Sequence, residues 1–160
     1  MSLRTLIFFL FCFSFSSCKK QGGPAKEGTP VSEPGLPSVP SEILNQLMDE
    51  CTGIDYVFNE LPFSLSFQEE PGIDQNIAFI DPYVPVGLIP PGCKPLARKL
   101  FLIKGEIAYE ADVYYSGKCQ FYVFIGKDKK PQYANGMTRA GIEYYKQVFQ
   151  QAQGMGQQTQ

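Results

Sequence analysis

From residue 98 onward, apolar and polar side chains alternate in short runs separated by turn signals. Arg98 to Ile103 reads as one strand, with Lys104-Gly105 as a tight turn after it. Glu106 to Tyr115 alternates almost perfectly. Ile107, Tyr109, Ala111, Val113 and Tyr115 fall on one face, and Glu106, Glu110 and Asp112 on the other. Ser116-Gly117-Lys118 leads into a strand over Cys119 to Ile125, and the turn 126–130 leads into a short strand near 132–134. A three-residue loop at 116–118 sets Val113 opposite Phe121 and Ala111 opposite Val123, whereas a two-residue loop sets Asp112 opposite Val123. Register follows the hydrophobic face, which favours three residues.

The helical period brackets this meander. After Pro40, Ser41 is a good N-cap, and Leu44, Leu47, Met48 and Cys51 form an apolar stripe. Ile54, Phe58 and Leu61 continue it up to Pro62, so a helix over 41–60 is expected, with Gly53 as its weak point. Phe63–Phe67 and Asn76–Ile80 are short strand candidates. Thr138 caps a last helix with Ile142, Tyr145, Val148, Phe149 and Ala152 on its apolar face, which should pack on the sheet. The expected fold class is α+β: a helix, an irregular proline-rich middle, an antiparallel meander over about 98–134, and a helix.

The two ends read differently. Arg4, the apolar run Leu6–Phe13 and the small residues Ser16-Ser17 have the layout of an export signal. The run is too short to span a hydrocarbon core, which takes roughly 20 apolar residues. Phe15-Ser16-Ser17-Cys18 resembles the lipobox of bacterial lipoproteins, with Phe15 where Leu is usual. That resemblance covers the signal and Cys18 alone. It implies removal of residues 1–17, acylation (palmitate included) of Cys18 as the new first residue, and an extracytoplasmic chain anchored to a bacterial membrane. With Lys19 next, the outer membrane is favoured in a Gram-negative cell.

Residues 19–40 hold five prolines and four glycines, a composition that cannot bury enough surface to order itself. They read as a tether. A single globular domain is expected over 41–152, followed by a disordered Gln-rich tail over 153–160.

Charge and chemistry narrow the function. The chain carries a net charge of −2, and without its signal 13 basic side chains face 16 acidic ones. This acidic balance argues against nucleic acid as a partner. With no histidine, Ser–His and Cys–His dyads are excluded. Glu110 and Asp112 would stand roughly 7 Å apart on one strand face, a spacing inverting glycosidases use; strand alternation makes them a solvated face instead. Glu69, Glu70, Asp74 and Asp81 lack calcium-loop spacing, and three domain cysteines without a CxxC pair are no zinc site. No catalytic residue, metal or cofactor is expected.

Once Cys12 leaves with the signal and Cys18 takes lipid, Cys51, Cys93 and Cys119 remain. Extrapolating the pairings across both turns brings Cys93 and Cys119 to the same end of the sheet. A Cys93–Cys119 bridge is therefore expected, with Cys51 buried on the helix stripe.

The segment 81–95 carries five prolines, yet Tyr83, Val84, Val86, Leu88 and Ile89 are too apolar for an idle linker. One reading is a stiff loop laid over the open face of the sheet. The other is an exposed ridge in which Tyr83, Val86, Leu88 and Ile89 bind an envelope protein partner. The expected function is thus a non-enzymatic protein-interaction or assembly lipoprotein. The alternative is a small-ligand binder with a pocket lined by Tyr109, Tyr115, Tyr122 and Tyr145.

Overall fold

The computed structural model describes residues 35–156. The export signal, Cys18 and most of the tether lie outside the described residues, as do the last four residues of the expected tail.

Ten elements follow in order: α1 (Ser41–Glu50), β1 (Cys51–Phe58), β2 (Ser64–Phe67), α2 (Glu70–Ile77), β3 (Ile80–Pro85), β4 (Ala97–Ile103), β5 (Glu106–Ser116), β6 (Cys119–Ile125), β7 (Pro131–Met137) and α3 (Arg139–Gly156). The strands form one antiparallel sheet in the order β2-β1-β4-β5-β6-β7-β3. The α+β class and the β4–β7 meander stand as read from the pattern. α3 starts behind Thr138, whose hydroxyl accepts from Gly141 N at 3.3 Å, and it continues to Gly156, into the stretch expected as tail.

Four local expectations are corrected. The first helix stops at Glu50, and residues 51–58 are a strand. Ile54 and Phe58 are four apart, a spacing shared by one helical turn and by two strand alternations. The fully buried Tyr56 between them fits only the strand. Cys51 accordingly begins β1 and is half-buried, rather than sitting on a helix stripe. The cap of α1 is Pro40, whose carbonyl accepts from Ile43 and Leu44; Ser41 makes no side-chain cap.

Second, 70–77 is a helix, with Pro71 tolerated in its first turn and Ile73 and Ile77 buried; the strand expected over 76–80 begins only at Ile80. Third, the 116–119 hairpin is closed by two residues, Gly117 and Lys118, which pairs Ser116 with Cys119 and Asp112 with Val123. Gly117 at φ +50° takes the first central position, where a glycine suits the mirror-image turn that matches strand twist. Fourth, a register shift near Ala108 takes Ile107 off the apolar face and leaves it exposed.

Both faces of the sheet are apolar, which explains why the hydrophobic face could not select the register. On the helix side, Ile54, Tyr56, Phe101, Ala111, Val113, Tyr122 and Phe124 pack with Leu47, Ile73, Ile77, Tyr145 and Val148. On the other side, Tyr114, Phe121, Val123 and Ala134 lie under Leu36, Val86, Ile89 and Cys93. The proline-rich segment is thus a cover for the sheet as well as a surface of its own.

Candidate interaction surface

β3 is an edge strand, the place in a sheet where prolines do least harm because a missing N–H there leaves no ladder bond unmade. Its pairing to β7 is irregular, with Ile80 opposite Met137 and Pro85 opposite Asn135. The bulge packs Val84 onto Gly136, so closely that a Cβ on Gly136 would come within 2.7 Å of Val84 Cγ1. Tyr83 N donates to Asp81 Oδ1 at 2.9 Å, a local turn that sends the Tyr83 ring outward. Tyr83 is 90% exposed.

Beyond β3, the chain crosses the sheet as a braced ridge. Val86 N donates to Ala134 O, and Val86 and Ile89 are half-buried on the second core. Pro90-Pro91-Gly92-Cys93 closes a turn through Cys93 N to Pro90 O at 3.2 Å, with Gly92 at φ +84° in the position that demands it. Cys93 is then bridged to Cys119, with Cα atoms 5.8 Å apart. Leu88 stands between these fixed points and is 62% exposed. Of the four ridge residues singled out from sequence, Tyr83 and Leu88 face solvent, while Val86 and Ile89 hold the ridge down.

A short strap completes the brace. Leu36 N donates to Gly87 O at 2.7 Å, Ala134 N to Pro37 O at 2.9 Å, and Val39 N to Asn135 Oδ1 at 2.7 Å. The other end of the fully buried Asn135 amide donates to Asp81 O. One side chain therefore ties strap, β3 and β7 together, and each of its buried polar ends has a partner.

The bridge closes a 26-residue separation, and constraining the unfolded chain that way contributes about 3 kcal/mol. The double substitution Cys93→Ser and Cys119→Ser should cost that amount in urea unfolding, and Cys51 should remain the free thiol in non-reducing peptide maps. An unchanged unfolding midpoint would refute the stabilisation.

The remaining sequence candidates occupy other places. Glu110 and Asp112 both hold Arg98, at 2.9 Å and 2.6 Å, and Lys129 reaches Glu110 at 2.6 Å. The hydrogen bond from Lys129, helped by Arg98 against partial desolvation, keeps Glu110 below the usual carboxylate range. Two carboxylates tied to one guanidinium are a cross-strand ion cluster, an arrangement unlike an acid facing a base. Among the described residues, no three His, Cys, Asp or Glu side chains are grouped to hold a metal ion.

Three of the four tyrosines meet, Tyr145 packing on Tyr115 with ring centroids 5.6 Å apart and bonding to Tyr122, while Tyr109 stands apart. Tyr109 donates to Gln46 Oε1 on α1. Tyr115 stacks on Phe149 and lines an open cavity of about 340 Å³ with Leu96, Pro95, Lys94 and Glu60. Tyr122 and Tyr145 are sealed in the core.

That core holds the residue sequence reasoning missed. Lys99 on β4 has no solvent exposure, and its Nζ donates to Asn76 O on α2 at 2.7 Å. The rings of Tyr56, Phe101 and Tyr122 surround the amine with centroids at 5.2, 5.0 and 5.3 Å, and among the described residues it forms no ion pair with a carboxylate. Burial pushes the amine well below its ordinary pKa. Beside it runs a hydroxyl chain: Tyr122 donates to Tyr145 at 3.2 Å, Tyr145 to Tyr56 at 3.1 Å, and Tyr56 to Asn76 Oδ1 at 2.6 Å. A signal was present, since Ala97, Lys99 and Phe101 share one strand face and the two flanking residues are apolar. Lysine is so rarely buried that this alternation alone does not announce a buried amine.

No protein-family model, no curated protein and no solved structure matches this chain, so its function has to be argued from the ridge and the core alone.

Proposed function

We propose that the chain is a membrane-anchored envelope lipoprotein, held outside the cytoplasm by an acylated Cys18, whose domain works by binding a protein partner and not by catalysis. In a Gram-negative cell the membrane would be the outer one. The observation that carries the docking reading is the pairing of Tyr83 and Leu88, both solvent-facing, on a ridge braced by the strap, the Val84–Gly136 contact and the Cys93–Cys119 bridge. Rigid aromatic and aliphatic anchors lose little entropy on docking, which is what a contact site needs. No cofactor enters this reading.

A photo-crosslinking side chain at position 83 or 88 of the full chain, activated in the native cell, should give one discrete protein adduct. The same probe at the exposed Lys146 on α3 should give none, and Tyr83→Ala with Leu88→Ala should abolish an adduct made from position 84. Fatty-acid labelling should disappear in Cys18→Ala. Adducts of equal yield from positions 83 and 146 would refute the docking site, and labelling that survives in Cys18→Ala would refute the anchor. A small-ligand reading keeps one supporting feature, the cavity beside Tyr115 and Phe149.

A further inference from the structure

We infer that the β2 edge of the sheet takes an extended, basic segment of a protein partner as an eighth strand. This surface is separate from the ridge, and its test does not depend on the ridge reading.

An open sheet has two edges, and here they are built differently. At β3, Pro82, Pro85 and an irregular register spoil pairing with any further strand. β2 has none of those guards. Ser64-Leu65-Ser66-Phe67 contains no proline and no charge, and it pairs with β1 through four consecutive residues without a shift. Among the described residues no strand pairs with its other side. In an antiparallel ladder every second residue of an edge strand turns its N–H and C=O away from the sheet, which makes β2 a template for pairing. Leu65 and Phe67 pack against the helix-side core while Ser64 and Ser66 are exposed, so an added strand extends an apolar face as well as the ladder. Pro62 and Pro71 bracket the stretch and keep the added pairing short. Beside the edge lies an open hollow of about 410 Å³ lined by Ser66, Phe67, Gln68, Glu69, Pro71 and Gly72. An aromatic ring and a proline suit the aliphatic stem of a long side chain, and the acid suits a cationic head.

Charge selects the occupant. From Gly35 to Cys93 the chain has nine acidic side chains and no lysine or arginine. Asp55, Glu60, Glu69, Glu70 and Asp74 lie on β1, α2 and the flanks of β2, and among the described residues none of them is held in an ion pair. The cations of the surrounding elements are engaged or set back. Arg98 holds Glu110 and Asp112, Lys146 holds Glu143, and Lys99 is buried. Arg139 starts α3 beside the far end of α2, where Thr138 bonds to Ala78 O, and Lys94 shares a cavity with Glu60. Lys104, in the β4–β5 turn, stands two strands over from β2, roughly 10 Å by strand spacing. The edge therefore keeps an acidic balance. A second copy paired edge to edge would set the same carboxylates against one another, whereas a lysine- or arginine-bearing segment meets them with opposite charge.

The test uses the full chain in detergent and three probes: a short peptide of alternating threonine and valine with two lysines at each end, its twin with glutamate for lysine, and the lysine peptide with its central amides N-methylated. The lysine peptide should bind and slow hydrogen exchange at amides within 64–67. The glutamate twin should bind about tenfold more weakly, since each of several exposed ion pairs is worth a factor of roughly 1.4–5. N-methylation should also cost about tenfold, because the ladder cannot close. Glu69→Lys with Glu70→Lys, both at exposed positions, should invert the preference between the two charge forms. No binding of the lysine peptide, or binding that N-methylation leaves unchanged, overturns the strand site. Equal binding of the two charge forms overturns the basic partner. Amides of 64–67 that are all slow to exchange in the free chain would show the edge already covered, by a second copy if the protection depends on concentration and by the chain's own N-terminal segment if it does not; either overturns the inference.

Discussion

Replacing Lys99 with methionine is expected to stabilise the protein at pH 7 and to destabilise it near pH 10. In the fold the amine is fully buried and donates to Asn76 O, and among the described residues it pairs with no carboxylate. Desolvation holds its pKa well below the ordinary value, which the unfolded chain restores. Between those two values the unfolded state binds the extra proton, so stability rises with pH by up to about 1.4 kcal/mol per unit, levelling off only above the unfolded lysine value of about 10.4. Below the folded-state value the full penalty is present.

Methionine has nearly the same shape and no proton to lose, so the slope vanishes. Removing a buried amine whose ionisation the fold opposes should raise stability at pH 7 by about 2 kcal/mol, after subtracting the cost of leaving Asn76 O without a donor. Near pH 10, close to the unfolded lysine value of about 10.4, most of that penalty has gone, and the cost of the stranded carbonyl outweighs what remains. The sign of the difference therefore reverses. Cys51 is raised mainly by burial in both proteins; Lys99 counters that shift in part, so in the methionine variant the thiol is raised further and its loss of stability with rising pH works in the same direction as the reversal. Urea unfolding of both proteins from pH 6 to pH 10 reads the crossing; parallel curves would show that Lys99 is not desolvated as described.

A lysine accepted at this cost also marks the limit of reading the fold from sequence. What was legible rested on local chemistry with one solution. Lys104-Gly105, at φ +53° and +80°, can hardly be anything but a two-residue hairpin turn, and Thr138 starts a helix wherever its hydroxyl finds a free N–H. The Cys93–Cys119 bridge followed from those turns. It survived a one-residue error in the second hairpin, because a shift of one position moves its partner by only one step along the strand.

The parts that were not legible depended on neighbours far along the chain. The register at 116–119 looked decidable only if one face of β5–β6 met water, but Leu36, Val86 and Ile89 cover that face from distant segments. The pattern over 51–58 favours helix because Ile54 and Phe58 satisfy both periods, and the tie is broken by Tyr56 meeting Asn76 and Tyr145 across the core. The ridge was found, but its division into Tyr83 and Leu88 outward and Val86 and Ile89 inward came from the bulge against Gly136. No pattern in residues 80–95 announces that bulge.

Alkali is expected to destabilise the protein steeply above pH 10, and Tyr122→Phe to soften that decline. Burial raises Tyr56, Tyr122 and Tyr145 well above the ordinary phenol value, with mutual repulsion between the rings adding to it. An acid whose folded pKa is raised keeps its contribution below the unfolded value and loses it as pH climbs beyond about 10. Three such groups acting together lower stability by about 4 kcal/mol per pH unit. Tyr144, pushed up to about 12 by desolvation, adds to this as far as its own titration. A domain stable by roughly 5–15 kcal/mol cannot survive many units of such a slope. Lys99 still gives a small opposing gain until its unfolded-state amine, of ordinary value about 10.4, has lost its proton, and none beyond.

Tyr122 heads the hydroxyl chain, donating to Tyr145 and accepting from no side chain, so its loss leaves the bonds from Tyr145 to Tyr56 and from Tyr56 to Asn76 in place. At pH 7 the substitution should therefore cost only about 1 kcal/mol, while removing roughly a third of the slope supplied by the three groups above pH 10. Tyr56→Phe is the contrasting variant. It strands Asn76 Oδ1 in the core, and its cost at neutral pH should be visibly larger, about 1–3 kcal/mol. Urea unfolding between pH 9 and pH 12, followed alongside tyrosinate absorbance, separates the two effects. A wild-type slope no steeper than one group supplies, or an identical slope in Tyr122→Phe, would mean that the three phenols do not titrate with unfolding, and the sealed core around Lys99 would have to be given up with them.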